Sequence, residues 1–236
     1  MLLHIQDTWL WFSIAFAMML LATLIMYAQG KRFFTHNVVT QKFSMLDLEF
    51  AANAKELADI IEGIYHLPEL DDNGNKIDRN RVIRALKGQL LVDLFLYMPA
   101  VYGANFLLCM KVATRVDGIG ATFFSVLAWM QVLCFLLDVI ENIYLWQKIK
   151  PGRHQSSKAI HTAYAVLEII KWGPALIAAI CSIFAIMHFW VSGLYSEDSY
   201  RYIWILVVEM LVFMLIVIVA AQIKKSKKRK LQSSHL

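Results

Sequence analysis

The sequence predicts an all-α polytopic membrane protein with five transmembrane helices and a small cytosolic helical loop, and three observations carry that prediction. Hydrophobic residues make up 59% of the 236 positions and the mean hydropathy is +0.54, beyond the roughly 45–50% apolar share of soluble domains. Five apolar runs are long enough to cross a hydrocarbon core about 30 Å thick, which takes about 20 helical residues. The basic residues gather at the ends of those runs, a pattern that sets membrane topology. The formal net charge of +5 therefore points to membrane lipids, with anionic headgroups at the basic tail, and to no nucleic-acid partner. Cys109, Cys134 and Cys181 lie inside apolar runs without CxxC or metal-ligand spacing. They read as free buried thiols, which argues against a disulfide framework or a zinc site.

The first run, Trp9 to Tyr27, has no Lys or Arg before it and is followed at once by Lys31 and Arg32. It is longer than a signal-peptide core and lacks the basic leader, so an uncleaved anchor with its N-terminus outside is expected. Residues 31–87 form a cytosolic helical loop subdomain within a single integral membrane domain, 1–236. Ser44 to Asp47 and Asn53 to Glu56 read as two capping boxes, each placing a side-chain acceptor where the first helical amides need one. The second opens a helix through Tyr65, whose Leu57, Ile61 and Ile64 recur at helical spacing and should face the inner leaflet or the bundle. Asp71 to Asn75 resembles a calcium loop only superficially. With Gly74 as the turn glycine, Glu69 falls first and Asn80 falls where a bidentate acid belongs, so a surface turn is expected.

The second span runs from about Gln89 to Met110, and a glycine-bearing outer turn leads to the third, Ala121 to Trp146, which ends in the helix-stopping Gln147 to Arg153. The fourth run, Ala159 to Gly193, exceeds one membrane thickness, so its first part to Lys171 is expected at the interface, with a kink at Gly173-Pro174. The fifth span, Tyr202 to Gln222, is closed by a basic cytosolic tail, 224–236. Trp9, Trp11, Trp146, Trp190, Tyr195 and Trp204 lie near the expected interfaces, where amphipathic rings settle. With alternating spans every basic cluster falls on one side, giving an N-outside, C-inside topology.

The third span is the strongest functional lead. At about 100° per residue, Gln131, Cys134, Asp138, Glu141 and Asn142 fall within one sector of roughly 100°, with Phe123, Phe124, Leu127 and Leu136 largely elsewhere. Such a face must look into protein rather than lipid. Asp93 lies one turn inside the second span on a face with Tyr97, Ala100 and Ala104, while His161, Tyr164, Glu168, Lys171 and Ala175 share a sector of about 80° on the fourth run. Depth counting brings these groups to the same inner boundary. The candidate ligand-binding set is therefore Asp93, Tyr97, Gln131, Asp138, Glu141, Asn142, Glu168 and Lys171, with Asp47 and Glu49 from the adjoining loop.

Three functions compete for this set. The acids can be structural, capping helices or pairing with Lys171, Arg84 or Lys87 in a scaffold that acts through a partner protein or a second copy. They can form a carboxylate-lined cytosolic pocket for a cation or small polar solute. They can hold a divalent ion in a lipid-interface enzyme, with Arg81, Arg84 and Lys87 on a phosphate or lipid headgroup and Asp47 or Glu49 as base. The spacing matches no phosphatase, CDP-alcohol transferase, metalloprotease or cysteine-nucleophile pattern, which weighs against catalysis. Haem is not expected, because His161 and His188 fall near opposite membrane faces. His188 and Glu209 lie at comparable outer depth and are expected to pair.

SMLDLEFAANAKELADII in the loop, VDLFLYMPAVYG in the second span and LLDVIENIYL in the third together resemble a family of multi-pass bacterial inner-membrane proteins of no assigned activity. The resemblance spans residues 44 to 147. It implies an inner (plasma) membrane location and marks Asp47, Glu49, Asp93, Asp138, Glu141 and Asn142 without naming a reaction. The function expected from the sequence is non-enzymatic binding, with passage as an extension, of a cation or small polar solute at the carboxylate cluster.

Overall fold

The computed structural model describes residues 8–69, 78–195 and 199–233, with side chains described as far as residue 222; the Asp71 to Asn75 turn lies outside the described residues. Eight α-helices and one hairpin follow in order: α1 (Thr8–Gly30), β1 (Phe34–His36), β2 (Thr40–Lys42), α2 (Met45–Glu49), α3 (Ala54–Tyr65), α4 (Arg79–Val92), a π-helical turn (Asp93–Tyr97), α5 (Met98–Ala113), α6 (Ile119–Lys148), α7 (Lys158–Val191) and α8 (Tyr200–Ser233). Five helices are long and apolar enough to cross a membrane: Trp9–Gly30, Arg79–Ala113, Ile119–Lys148, Lys158–Val191 and Tyr200–Gln222. The protein is a mostly helical integral membrane protein.

Both expected helix starts in the loop form. Ser44 and Asp47 exchange a full capping box at the head of α2. At α3, Asn53 Oδ1 accepts from the Glu56 amide at 2.9 Å, while the Glu56 carboxylate reaches one residue further back, to the Ala52 amide at 2.7 Å. The short antiparallel pair β1–β2 was not foreseen from the pattern. Three residues per strand carry too little alternation to register as strands. The hairpin is held instead by tertiary contacts: Phe33 stacks on Phe43 at 5.3 Å, and Thr35 Oγ1 donates to the Ile60 carbonyl of α3 at 2.7 Å.

The second membrane helix begins at Arg79, ten residues before Gln89, because Asp78 caps it by accepting from the amides of Asn80 and Arg81. It continues unbroken to Ala113 through the π-helical turn, where the Met98 amide donates to the Asp93 carbonyl, five residues back. Pro99 explains the widened turn. It has no N–H to offer the Phe95 carbonyl, and the turn re-spaces the ladder around that gap. α7 likewise runs through Gly173-Pro174 as one helix of 34 residues.

The core divides into two ends. At the hairpin end, Phe33, Leu48, Ile61, Leu86, Leu145 and Tyr164 join the loop to α4, α6 and α7. There the Tyr65 hydroxyl also donates to the Ile149 carbonyl beyond α6. At the opposite end Trp9 stacks on Trp190 at 5.1 Å beside Tyr195, with Tyr202 completing the cluster. α8 packs mainly on α1. The expected pairing of His188 with Glu209 is not formed: Glu209 accepts from Ser13 of α1 at 2.7 Å, and His188 is exposed. The packing of α8 on α1 gives Glu209 the Ser13 hydroxyl instead.

The hairpin touches α3 where a side chain would obstruct it. A Cβ at Gly63 would stand 2.8 Å from the His36 carbonyl oxygen and closer still to the Thr35 hydroxyl. Gly63→Ala is expected to destabilise the loop by about 1–3 kcal/mol through overpacking. Gly103→Ala, with nothing within 4 Å of the new methyl, should leave unfolding of the detergent-solubilised protein unchanged or slightly delayed. Equal effects from both substitutions would contradict the docking described.

Candidate functional site

The face expected on α6 is buried as a unit: Gln131, Cys134, Asp138, Glu141 and Asn142 all turn inward, and Leu127 joins them on that side. The expected α7 face is buried too, from His161 through Tyr164, Glu168, Lys171 and Ala175. Periodicity fixed which side of each helix is polar. The pairing between the two faces builds the site.

Lys171 is only 1% exposed and is surrounded by carboxylates. Its Nζ lies 2.7 Å from Asp138 Oδ1 and 2.8 Å from Glu168 Oε2, and it also binds Glu141 Oε2 directly. Tyr164 donates to the other Glu141 oxygen at 3.4 Å. Asn142 donates to Asp93 Oδ2 at 2.8 Å and also to the Asp138 carbonyl, so the second span is tied to the third at this level. Two more carboxylates, Asp93 and Glu49, thus join a group that holds a single ammonium. One oxygen from each of Glu49, Glu141 and Glu168 lies within 4.8 Å of the others.

Glu49, at the end of α2, reaches the cluster from the loop. Burial pushes its carboxyl up to about 7; Lys171 pulls the other way, and the charges of Glu168, Asp93 and Asp138 push it up further. Glu49 is therefore a group of the cluster that changes charge near neutral pH. Asp47, two residues earlier, is exposed and spends its carboxylate on the Ser44 cap. Adjacent positions in one short helix thus have separate tasks.

A cavity of about 620 Å³ opens beside the cluster, with Asp93, Asp138, Lys171 and Glu49 on its floor. Tyr97 lines it as expected, but Tyr102, Gln89, Trp172, Lys31 and Lys42 were not singled out from the sequence. Gln89 carried a usable signal, since it stands one helical turn before Asp93. Tyr102 did not. In an uninterrupted α-helix it faces about 180° away from Asp93, and the π-helical turn supplies roughly 100° of rotation that brings it round. Gln131 belongs to a separate network, accepting from Asn105 at 3.4 Å and donating to Leu127. Arg81 and Arg84 are exposed on α4, Arg84 lying 4.0 Å from Asp78, and the Lys87 ammonium sits over the Trp146 ring. These three are not among the residues lining the cavity.

Chemically, the arrangement holds positive charge. The Glu49, Glu141 and Glu168 oxygens are of the type a hard, oxygen-seeking cation takes, yet Lys171 already pairs with two of the three carboxylates. Glu49 and Asp93, which make no direct ion pair with the ammonium, both line the cavity. Comparison of the chain with protein-family models, with curated proteins and with solved structures gives no match.

Removing one partner from a buried ionic network leaves uncompensated charge. Lys171→Met should therefore cost about 3–5 kcal/mol, read as a large fall in unfolding temperature. Adding Glu141→Gln and Glu168→Gln to that variant should recover much of the loss. A single Lys171→Met variant as stable as the parent would show that the network contributes little.

Proposed function

We propose that this protein is a non-enzymatic membrane binding protein that takes a cation or small polar solute at the carboxylate cluster. The observation that carries the proposal is the imbalance of charge: five carboxylates, Glu49, Asp93, Asp138, Glu141 and Glu168, are gathered round one ammonium beside an open cavity. A purely structural role needs the acids matched by partners, because a buried charge is stable only when paired. Glu168 Oε1 and Asn142 Oδ1 are buried without hydrogen-bond partners among the described residues, so the cluster is not fully satisfied by the groups packed around it. That Arg81, Arg84 and Lys87 do not line the cavity favours binding over phosphoryl chemistry.

In this reading the hairpin end is cytosolic. The basic positions Lys31, Arg32, Lys148, Lys150 and Arg153 lie at that end, as does the lysine-rich stretch after Gln222 if the spans alternate, which supports an N-outside, C-inside orientation. The membrane is proposed to be a bacterial inner membrane on the resemblance noted above. Passage of the solute along α6 and α7 is an extension of the same proposal.

A cation must compete with the proton on Glu49. Its affinity should rise as pH climbs through about 7, because the carboxyl is protonated below that value and ionised above it. The groups facing Glu49 are Lys171 and Glu168 from α7, Asp138 and Glu141 from α6, and Asp93 from the π-helical turn. Thermal unfolding of purified protein with monovalent and divalent cations and small amines, at pH 6 and pH 8, tests this. A ligand at 100 times its Kd contributes about 2.7 kcal/mol, within reach of such a screen. We expect one class of cation to stabilise more at pH 8, and Glu49→Gln to remove that difference. No stabilisation by any cation or amine at either pH would overturn the proposal.

A further inference from the structure

The cavity has a second property that cation binding alone does not explain: acids, apolar side chains and exposed lysines line the same space. Its inner end carries three acids, Asp93, Asp138 and Glu49, against the one buried ammonium of Lys171. Its walls are apolar, with Met26 from α1, Met98 and Val101 from α5, and Trp172 from α7, all within helices apolar enough to cross a membrane. Its rim carries the exposed Lys31 and Lys42. Lys31 is held over the Tyr27 ring at 4.1 Å and Lys42 over Phe34 at 5.4 Å, so both ammonium groups are positioned on aromatic faces beside the opening. Tyr27, beside Lys31, is 54% exposed, placing an amphipathic ring at the mouth, where rings settle at headgroup depth. A volume of about 620 Å³ is in the range of small-molecule sites.

An independent observation points to a ligand with N–H donors. Gln89 is 6% exposed and lines this cavity, and its Oε1 has no hydrogen-bond partner among the described residues. A buried amide oxygen without a donor is destabilising, and on a residue that lines a cavity it is the acceptor left for a ligand's N–H group. The acids beside it require that donor to be cationic. A primary ammonium meets both demands with its three N–H groups, whereas a quaternary ammonium offers none.

We propose that the ligand is a phosphoethanolamine group, and that its source is an aminophospholipid entering from the bilayer. The ammonium lies on the floor among Asp93, Glu49 and Gln89, the phosphate lies between Lys31 and Lys42, and an acyl chain leaves past Met26, Val101 and Trp172. This deepens the binding function proposed above and rests on it. The order of charges along the cavity, negative inside and positive at the rim, matches the order of charges along a phosphoethanolamine headgroup, with its amine outermost on the lipid and hence deepest in the site. A headgroup bearing only negative charge would meet the acidic floor, and a small metal ion would leave the walls and rim without a role.

The test is a binding titration of the full-length protein in detergent with short-chain phosphatidylethanolamine, phosphatidylcholine and phosphatidylglycerol of matched chains, and with soluble glycerophosphoethanolamine. Charge-assisted hydrogen bonds discriminate by about tenfold or more each, so phosphatidylethanolamine should bind at least about tenfold more tightly than the other two lipids. Lys31→Ala with Lys42→Ala, and separately Gln89→Leu, should each weaken it by about tenfold. The part of the tryptophan quenching that is lost in Trp172→Phe should be larger with chain-brominated phosphatidylethanolamine than with chain-brominated phosphatidylcholine, whereas bulk lipid coating would quench Trp172 equally with either. Equal affinity for all three lipids overturns the inference, as does an unchanged affinity in both the lysine and Gln89 variants. Tight glycerophosphoethanolamine binding without a gain from the chains keeps the headgroup but overturns the lipid source. Stabilisation by simple cations without phosphoethanolamine binding overturns this inference alone and leaves the proposed function standing.

Discussion

A lysine buried at the junction of two membrane helices is stable only if its charge is answered at once, and the rest of the site depends on how Lys171 is answered. Asp138 and Glu141 lie on α6, and Glu168 lies one turn before the lysine on α7. The two helices must meet face to face at this level, with the depth and rotation of each determined by ion pairs that are too costly to break inside a low-dielectric interior. The consequence is an overfilled cluster. More carboxylate is recruited than one ammonium neutralises, and the surplus is directed toward the open cavity rather than toward lipid.

Two features of the backbone bring that surplus together. Pro99 removes one donor from the second span, and the resulting π-helical turn begins at Asp93. The widened turn presents Asp93 to Asn142 and rotates the helix beyond it so that Tyr102 shares the cavity with Asp93 and Asp138. The hairpin and α2 act as a cover. The Phe33–Phe43 stack, Leu48 and the α3 face seat the loop on the bundle, and that seating carries Glu49 inward. A group with its protonation midpoint moved to about 7 by burial thus stands between the loop and a network that stays buried.

The loop illustrates how far side-chain tasks separate within a few residues. Asp47 and Glu49 occupy one turn of helix, yet Asp47 stabilises the helix start while Glu49 faces the cluster. Their spacing of two residues turns them about 200° apart on the helix, so one must face solvent when the other faces the bundle. The same logic separates Gln131 from the charged cluster. It shares the polar face of α6, but nearly two turns away from Asp138 it finds Asn105 rather than a charge.

Helix content, the five apolar crossings and the inward faces of α6 and α7 were determined by the sequence itself, because they follow from local periodicity and from the cost of exposing charge to hydrocarbon. The caps at Ser44 and Asn53 were equally legible, being short-range contacts between side chains and neighbouring amides. What tertiary structure alone decided were contacts between residues far apart in the chain. These are the hairpin, whose strands are too short to show a pattern; the π-helical turn, which changes the rotation of everything after it; the pairing of Glu209 with Ser13 instead of His188; and the choice of Glu49 over Asp47. Composition and spacing rank candidates along each helix, but which of them share a cavity depends on helix rotation and loop packing, and those are determined by the sum of contacts across the whole bundle.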